Sequence, residues 1–227
     1  MPSTGHLCWG KAMAVELTSE YYLRYLEKIS AKIGNARSIH GLHHRKLNAF
    51  IHSGLEGVPD GARILDAGCG LSIWVSPELR KRWVIAGVDA QSASIEACQA
   101  VYQGQEYRLG DLYALDYPDQ SFAAVVMREV IEHVRHPELA VREVQRVLKP
   151  GGRFVLTTPN YDSLLLRSIE QTYNRFFGGP CKPYLDDVHP SRFRVATLRE
   201  LIGKYAKIER YQTIDLGISL GCVASRS

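Results

Sequence analysis

Ile64-Leu65-Asp66-Ala67-Gly68-Cys69-Gly70 is the stretch whose reading decides the fold: an apolar run that ends in two glycines one residue apart. The run suits a buried strand, and Gly68 and Gly70 remove side chains where the backbone must turn sharply and come close to a ligand. A turn of this kind between a strand and a helix sits where open α/β sheets bind nucleotide-like molecules. Working outward, Val84-Ile85-Ala86-Gly87-Val88-Asp89 ends in an acidic residue 23 positions after Asp66. A carboxylate there can accept hydrogen bonds from both hydroxyls of a ribose.

Short apolar runs at 63–67, 83–89, 106–109, 122–127 and 153–157 alternate with helical segments near 73–82, 92–103 and 137–149. That alternation predicts a doubly wound α/β sheet, Rossmann-like and mostly parallel, with helices on both faces. Runs at 208–214 and 218–223 predict a closing pair that contributes an antiparallel strand. Pro137 suits a first helical turn, and Lys149-Pro150-Gly151-Gly152 reads as that helix's stop and a turn into the next strand. Thr197 and Glu200 form the pattern of a capping box. Tyr22, Leu26, Ile29 and Ile33 recur at helical spacing and predict an opening helix over 18–33.

The 227 residues are 45% hydrophobic and 23% charged, the balance of an ordinary globular protein. Twenty-eight Lys and Arg against 24 Asp and Glu leave +4, which disfavours a long nucleic-acid footprint and points to a small-molecule partner. Five scattered cysteines (Cys8, Cys69, Cys98, Cys181, Cys222) without C-x-x-C spacing fit a reducing cytoplasm and no zinc knuckle. No apolar run reaches the roughly 18 to 20 residues of a membrane span.

In order along the chain, Asp66-Ala67-Gly68-Cys69-Gly70, Asp89, Gly110-Asp111-Leu112 and Val147-Leu148-Lys149-Pro150-Gly151-Gly152 resemble the motifs of class I S-adenosylmethionine-dependent methyltransferases. The resemblance covers about 60–160 and implies one methyltransferase domain: a helical cover at 1–60, a cofactor core at 61–160, a substrate-side insert at 161–190 and closing elements at 191–227. It implies that Asp66, Gly68 and Gly70 border the methionine, Asp89 the ribose, and Asp111 with Leu112 the adenine, with Arg128 also on the cofactor side. The family's usual third glycine is Ser72 here. A dinucleotide dehydrogenase is the competing reading of the turn and Asp89, but G-x-G-x-x-G is absent and the later motifs match methyltransferases.

Arg128-Glu129-Val130-Ile131-Glu132-His133 closes the fourth strand. On a helical turn Glu129, Glu132 and His133 would share a face, and two carboxylates with an imidazole suit Mg²⁺ or Mn²⁺. This run resembles that of ubiquinone-biosynthesis O-methyltransferases and of small-RNA terminal 2′-O-methyltransferases, which implies a metal site of Glu129, Glu132, His133 and the distant His189. Alternatively His133 is itself the general base, since an ordinary histidine titrates near 6.5. The expected activity is O-methylation of a small molecule; RNA 2′-O-methylation and a non-catalytic binding protein remain the alternatives. The aromatic, Gly-containing segment from Tyr161 to Pro190 is expected to roof the acceptor pocket, and the basic run His40 to Lys46 to form a solvated face or an anion site.

Overall fold

The computed structural model describes residues 18–176 and 189–226, with the side chains of 170 and 173–176 left aside. Its elements are α1 (Ser19–Gly34), α2 (Ile39–Gly54), β1 (Arg63–Ala67), α3 (Pro77–Arg82), β2 (Val84–Asp89), α4 (Ser92–Val101), β3 (Glu106–Leu109), β4 (Phe122–Arg128), α5 (Pro137–Val147), β5 (Leu148–Pro159), α6 (Leu164–Phe176), α7 (Val195–Gly203), β6 (Lys207–Ile214) and β7 (Ser219–Ser225). The strands form one seven-stranded sheet in the order β3-β2-β1-β4-β5-β7-β6. The first five are mutually parallel, and β7 runs antiparallel to both β5 and β6. The chain thus crosses from one half of the sheet to the other between β1 and β4, the kind of position where open α/β sheets hold ligands.

The strand pleat explains the layering. Along β5, Phe154 and Leu156 face one side and pack with Val141, Val144 and Val147 of α5 and Leu198 and Ile202 of α7. Val155 faces the other side and packs with Leu47, Phe50 and Ile51 of α2. Leu47, Phe50 and Ile51 lie at i, i+3 and i+4, so α2 buries one stripe. It approaches the sheet closely at Gly221, where a Cβ would stand 2.6 Å from the Phe50 ring. The opening helix α1 lies against α4, with Tyr22, Leu23 and Leu26 packed on the cluster that contains Cys69, Ile95 and Cys98.

Two segments gain their elements and three local expectations change. Helix α2 occupies the run read as a basic patch, and α6 opens the segment read as an aromatic roof. Phe177, the Gly178-Gly179-Pro180 turn and Tyr184 lie outside the described residues, as do the side chains of Tyr173 and Phe176. Lys149-Pro150-Gly151-Gly152 belongs to β5 instead of a turn, because α5 stops at Val147 and the register slips between Phe122 and Ala124 to accommodate the extra length. Finally, Thr197 is not the cap of α7 but lies three residues into it, where its Oγ1 accepts the Arg194 N–H at 2.9 Å. Helix α3 starts only at Pro77, after Ser76 caps it by accepting the Leu79 N–H.

Candidate active site

The turn after β1 is built by hydrogen bonds to the end of β2. Gly68 and Cys69 N–H both donate to Val88 O, at 2.8 and 2.9 Å, and Gly70 N–H donates to Asp89 Oδ2 at 2.8 Å. Gly68 is required twice: its φ is +72°, and a Cβ there would lie 2.4 Å from Val130 Cγ1. Gly70 is different. Its φ is +47°, yet a Cβ would meet nothing within 4 Å, so this position borders open space at the strand ends. A Gly68→Ala variant is expected to lose about 2 to 4 kcal/mol of stability, from overpacking plus left-handed strain. Denaturant unfolding measures it, and a loss below about 0.5 kcal/mol, the scale of a neutral surface change, would show that Val130 moves aside freely.

Ser72 stands in the left-handed region, φ +49°, which accounts for glycine at this place in the family pattern. Its hydroxyl donates to Asp66 Oδ2 at 2.5 Å, an interaction glycine cannot make. Asp66 is buried, its Oδ1 makes no hydrogen bond of good geometry, and burial raises its carboxyl to about 6 despite the serine. Asp89 Oδ1 accepts from Gln91 N–H at 2.9 Å, so each oxygen of this carboxylate already holds one backbone amide and keeps a further acceptor lone pair. The Tyr22 hydroxyl on α1 in turn donates to Gln91 Oε1 at 2.6 Å.

The third strand brings Asp111 to the same edge, since Gly110 N–H donates to Asp89 O at 3.0 Å. Asp111 Oδ1 accepts the Tyr113 N–H, and Leu112 packs partly on the main core. The Tyr113 hydroxyl accepts the Arg135 and His136 amides at 3.0 and 3.1 Å, tying this loop to the segment that follows β4.

Arg128, at the end of β4, points toward α2. Its Nε donates to Asn48 Oδ1 at 3.1 Å and its Nη2 meets His44 Nδ1. Burial, and next the Arg128 charge, depress His44 to about 3, so this imidazole is neutral and accepts. Sequence reasoning placed His44 in a solvated face or anion site and missed Asn48, although their i, i+4 spacing marks one face of a helix.

Glu129, Glu132 and His133 do not share a helical turn, which corrects the expected i, i+3, i+4 geometry. Glu129 has φ +53° and its N–H donates to Thr157 O at 2.9 Å, while a 3-10 turn spans only Ile131–His133. Glu132, His133 and His189 come together instead, with one ligand atom from each lying within 4.8 Å of the others; Glu129 is outside that group. His133 Nε2 is 3.9 Å from Glu132 Oε1, and the His133 and His189 ring centroids are 4.7 Å apart. The return of the chain is fixed by Ser191, whose N–H donates to Glu132 O at 3.1 Å and whose hydroxyl donates to Val134 O at 2.6 Å.

Burial sets the electrostatics of these carboxyls. Glu132 accepts the Thr158 hydroxyl at 2.9 Å and is raised by burial to about 7. Glu129 is also raised to about 7, by burial first and then by Glu132, and its shielded Oε1 has no hydrogen bond of good geometry. Burial, then the neighbouring His133, lowers His189 to about 4, so it is neutral at pH 7. Its Nδ1 lies 2.7 Å from the Tyr161 hydroxyl. When Nδ1–H donates to Tyr161, Nε2 is the unprotonated ring nitrogen, the tautomer of a metal-binding histidine with an outer hydrogen-bond partner. A carboxylate and two imidazoles fit a divalent cation in this tautomer.

The sheet order, the Gly-rich turn after β1 and the acidic end of β2 define the architecture of the class I S-adenosylmethionine-dependent methyltransferases. Residues 65–156 match the family model of a methyltransferase domain. Among curated proteins, a ubiquinone biosynthesis O-methyltransferase of Maricaulis maris is 38% identical over 119 residues, covering 49% of this chain and 47% of the relative. The chain spans about half or less of the length of such relatives.

Two solved structures share the fold. A magnesium protoporphyrin IX methyltransferase from Synechocystis with bound S-adenosylhomocysteine has TM-score 0.65 and 16% identity, covering 92% of this chain and 98% of that one. A [4+2]-cyclase has TM-score 0.64 and 16% identity, covering 92% and 94%. At these identities the likeness is one of architecture, and the chemistry must be argued from the site.

Proposed function

We propose that this protein transfers a methyl group from S-adenosylmethionine to an oxygen of a small-molecule acceptor. One observation carries the proposal: the Gly68–Gly70 turn with Asp89, and the Glu132, His133 and His189 group, stand at the same end of one sheet, beyond the neighbouring strands β1, β2 and β4. Asp89 would accept the two ribose hydroxyls through its remaining lone pairs, Gly70 would border the methionine without a side chain, and Asp66 would offer its open oxygen nearby. Asp111 and Leu112 would edge the adenine. Arg128, backed by Asn48 and His44, would face a carboxylate of the cofactor. The relatives named O-methyltransferases support an oxygen acceptor, and the net charge of +4 supports a small molecule over nucleic acid. Buried free Cys69, Cys98 and Cys222 favour a reducing, cytoplasmic setting.

On the acceptor side Glu132, His133 and His189 would hold Mg²⁺ or Mn²⁺, with Tyr161 fixing the His189 tautomer and Thr158 orienting Glu132. Bound there, the ion lowers the pKa of an acceptor hydroxyl and fixes its position. Glu129, outside the triad but within electrostatic reach of Glu132, adds negative charge that favours a cation. Methyl transfer is an in-line displacement, so the remaining contribution of these side chains is alignment. His133, with a side chain 47% exposed, is the group open to an entering acceptor.

Calorimetry with S-adenosylhomocysteine, followed by an acceptor screen with radiolabelled cofactor with and without chelator, tests this reading. Binding is expected, with turnover that chelator abolishes and Mg²⁺ or Mn²⁺ restores. Chelator-resistant turnover that falls on acidification assigns His133 as a direct base. Cofactor binding without transfer to any oxygen acceptor removes the enzymatic reading.

A further inference from the structure

The turn in which Ser72 replaces a glycine is held by side chains of α3 and α4 acting on its carbonyls. Three successive backbone oxygens are captured: Gly70 O by Cys98 Sγ at 3.2 Å, Leu71 O by the Tyr102 hydroxyl at 3.1 Å, and Ser72 O by Arg80 Nη2 at 3.3 Å. Cys98 lies on the last turn of α4 and Tyr102 caps it, so the two are one turn apart. Arg80 is itself clamped. Its Nη1 donates to the Tyr107 hydroxyl at 2.7 Å, and its guanidinium carbon lies 3.4 Å from the centroid of the Tyr102 ring.

We infer that Arg80 is a positioning residue for the cofactor-binding turn, acting through the carbonyl of Ser72. This rests on the reading of the Gly68–Gly70 turn as the cofactor site. A serine in the left-handed region is disfavoured relative to glycine, so the turn needs an external constraint that glycine would not require. A charged donor on the Ser72 carbonyl supplies it. The same restraint keeps the Ser72 hydroxyl on Asp66, and thereby holds the shape of the segment from Asp66 to Ser72. The planar fork suits this position, because one guanidinium serves Tyr107 and Ser72 while stacking on Tyr102, whereas an ammonium can replace only part of that set.

The test compares Arg80→Met and Arg80→Lys with the wild-type protein by S-adenosylhomocysteine calorimetry and by hydrogen exchange at residues 69–73, well below the melting temperature. For Arg80→Met the dissociation constant is expected to rise about tenfold and exchange at 69–73 to accelerate about tenfold, on the scale of one charge-assisted hydrogen bond, while β4 and β5 stay protected. Arg80→Lys should recover part of both. Wild-type affinity and unchanged exchange in a folded Arg80→Met protein overturn the inference. Should that variant not fold, Tyr107→Phe removes only the hydroxyl that orients the guanidinium, and a rise of about threefold is expected, within the range of one neutral hydrogen bond; wild-type values overturn the inference equally. If the wild-type protein itself does not bind the nucleoside, the cofactor reading fails, and exchange at 69–73 still decides whether Arg80 holds the turn.

Discussion

Replacing Asp89 by alanine is expected to weaken S-adenosylhomocysteine binding by about 1.5 to 3 kcal/mol, roughly ten- to hundredfold, the range for hydrogen bonds to a charged group. The carboxylate has one observed job and one proposed. Its oxygens hold the Gly70 and Gln91 amides at 2.8 and 2.9 Å, and their remaining lone pairs face the space where ribose hydroxyls are proposed to sit. Alanine loses both, so the effect should fall at the upper end of that range. Asp89→Asn keeps one acceptor oxygen and should fall between. Calorimetry on folded variants decides, and wild-type affinity in Asp89→Ala would remove the ribose assignment.

Glu132→Gln should lower turnover by about a hundredfold or more, the scale for losing a group that positions or moves a proton, while making the protein more stable at pH 8. The sign follows from linkage. Glu132 is raised to about 7 from an ordinary 4.5, so the folded state binds its proton more tightly than the unfolded chain. Stability is fullest below about pH 4.5, falls as pH rises toward 7, and stays lower above. Glutamine still accepts from Thr158 but carries no charge to desolvate, so it escapes that loss. Glu129 shifts with Glu132 as a pair, and the gain at pH 8 is on the order of 1 to 3 kcal/mol. Thermal unfolding with chelator present, from pH 4.5 to 8, measures it; equal stability of the two proteins across that range would contradict the buried charge.

The central sheet was legible because buried parallel strands are unbroken apolar runs, and β1 to β4 fall within a residue of their expected bounds. The helical cover was less so. Leu47, Phe50 and Ile51 carry a helical stripe, but His40 to Lys46 ahead of them draws attention to charge, and α2 was read as a surface patch. The turn after β1 and its neighbour Asp89 were legible because glycines and an acidic strand end have few other uses in that order. The acceptor side was read through an assumed helix after β4, whereas the left-handed backbone at Glu129 and a single 3-10 turn send Glu129 and Glu132 in different directions. That dihedral has no sequence signature. His189 lies 56 positions from His133 and is brought to it by hydrogen bonds of Ser191 and Tyr161, a tertiary arrangement that local spacing does not carry and that the family resemblance alone suggested.

The crossing of the chain between β1 and β4 has a consequence for how such proteins diversify. Of the groups proposed to face the cofactor, all but Arg128 at the end of β4 leave β1, β2 and β3, whereas the groups proposed for the acceptor side leave β4 and the returning segment at 189–193. Mutations in the second set therefore need not disturb the first. The methyltransferase-domain match spans residues 65–156, which include Glu132 and His133, and stops ahead of Thr158, Tyr161 and His189. Under the proposed reading, changes at Thr158, Tyr161 and the returning segment reshape the acceptor side without touching the turn after β1 that would hold the donor.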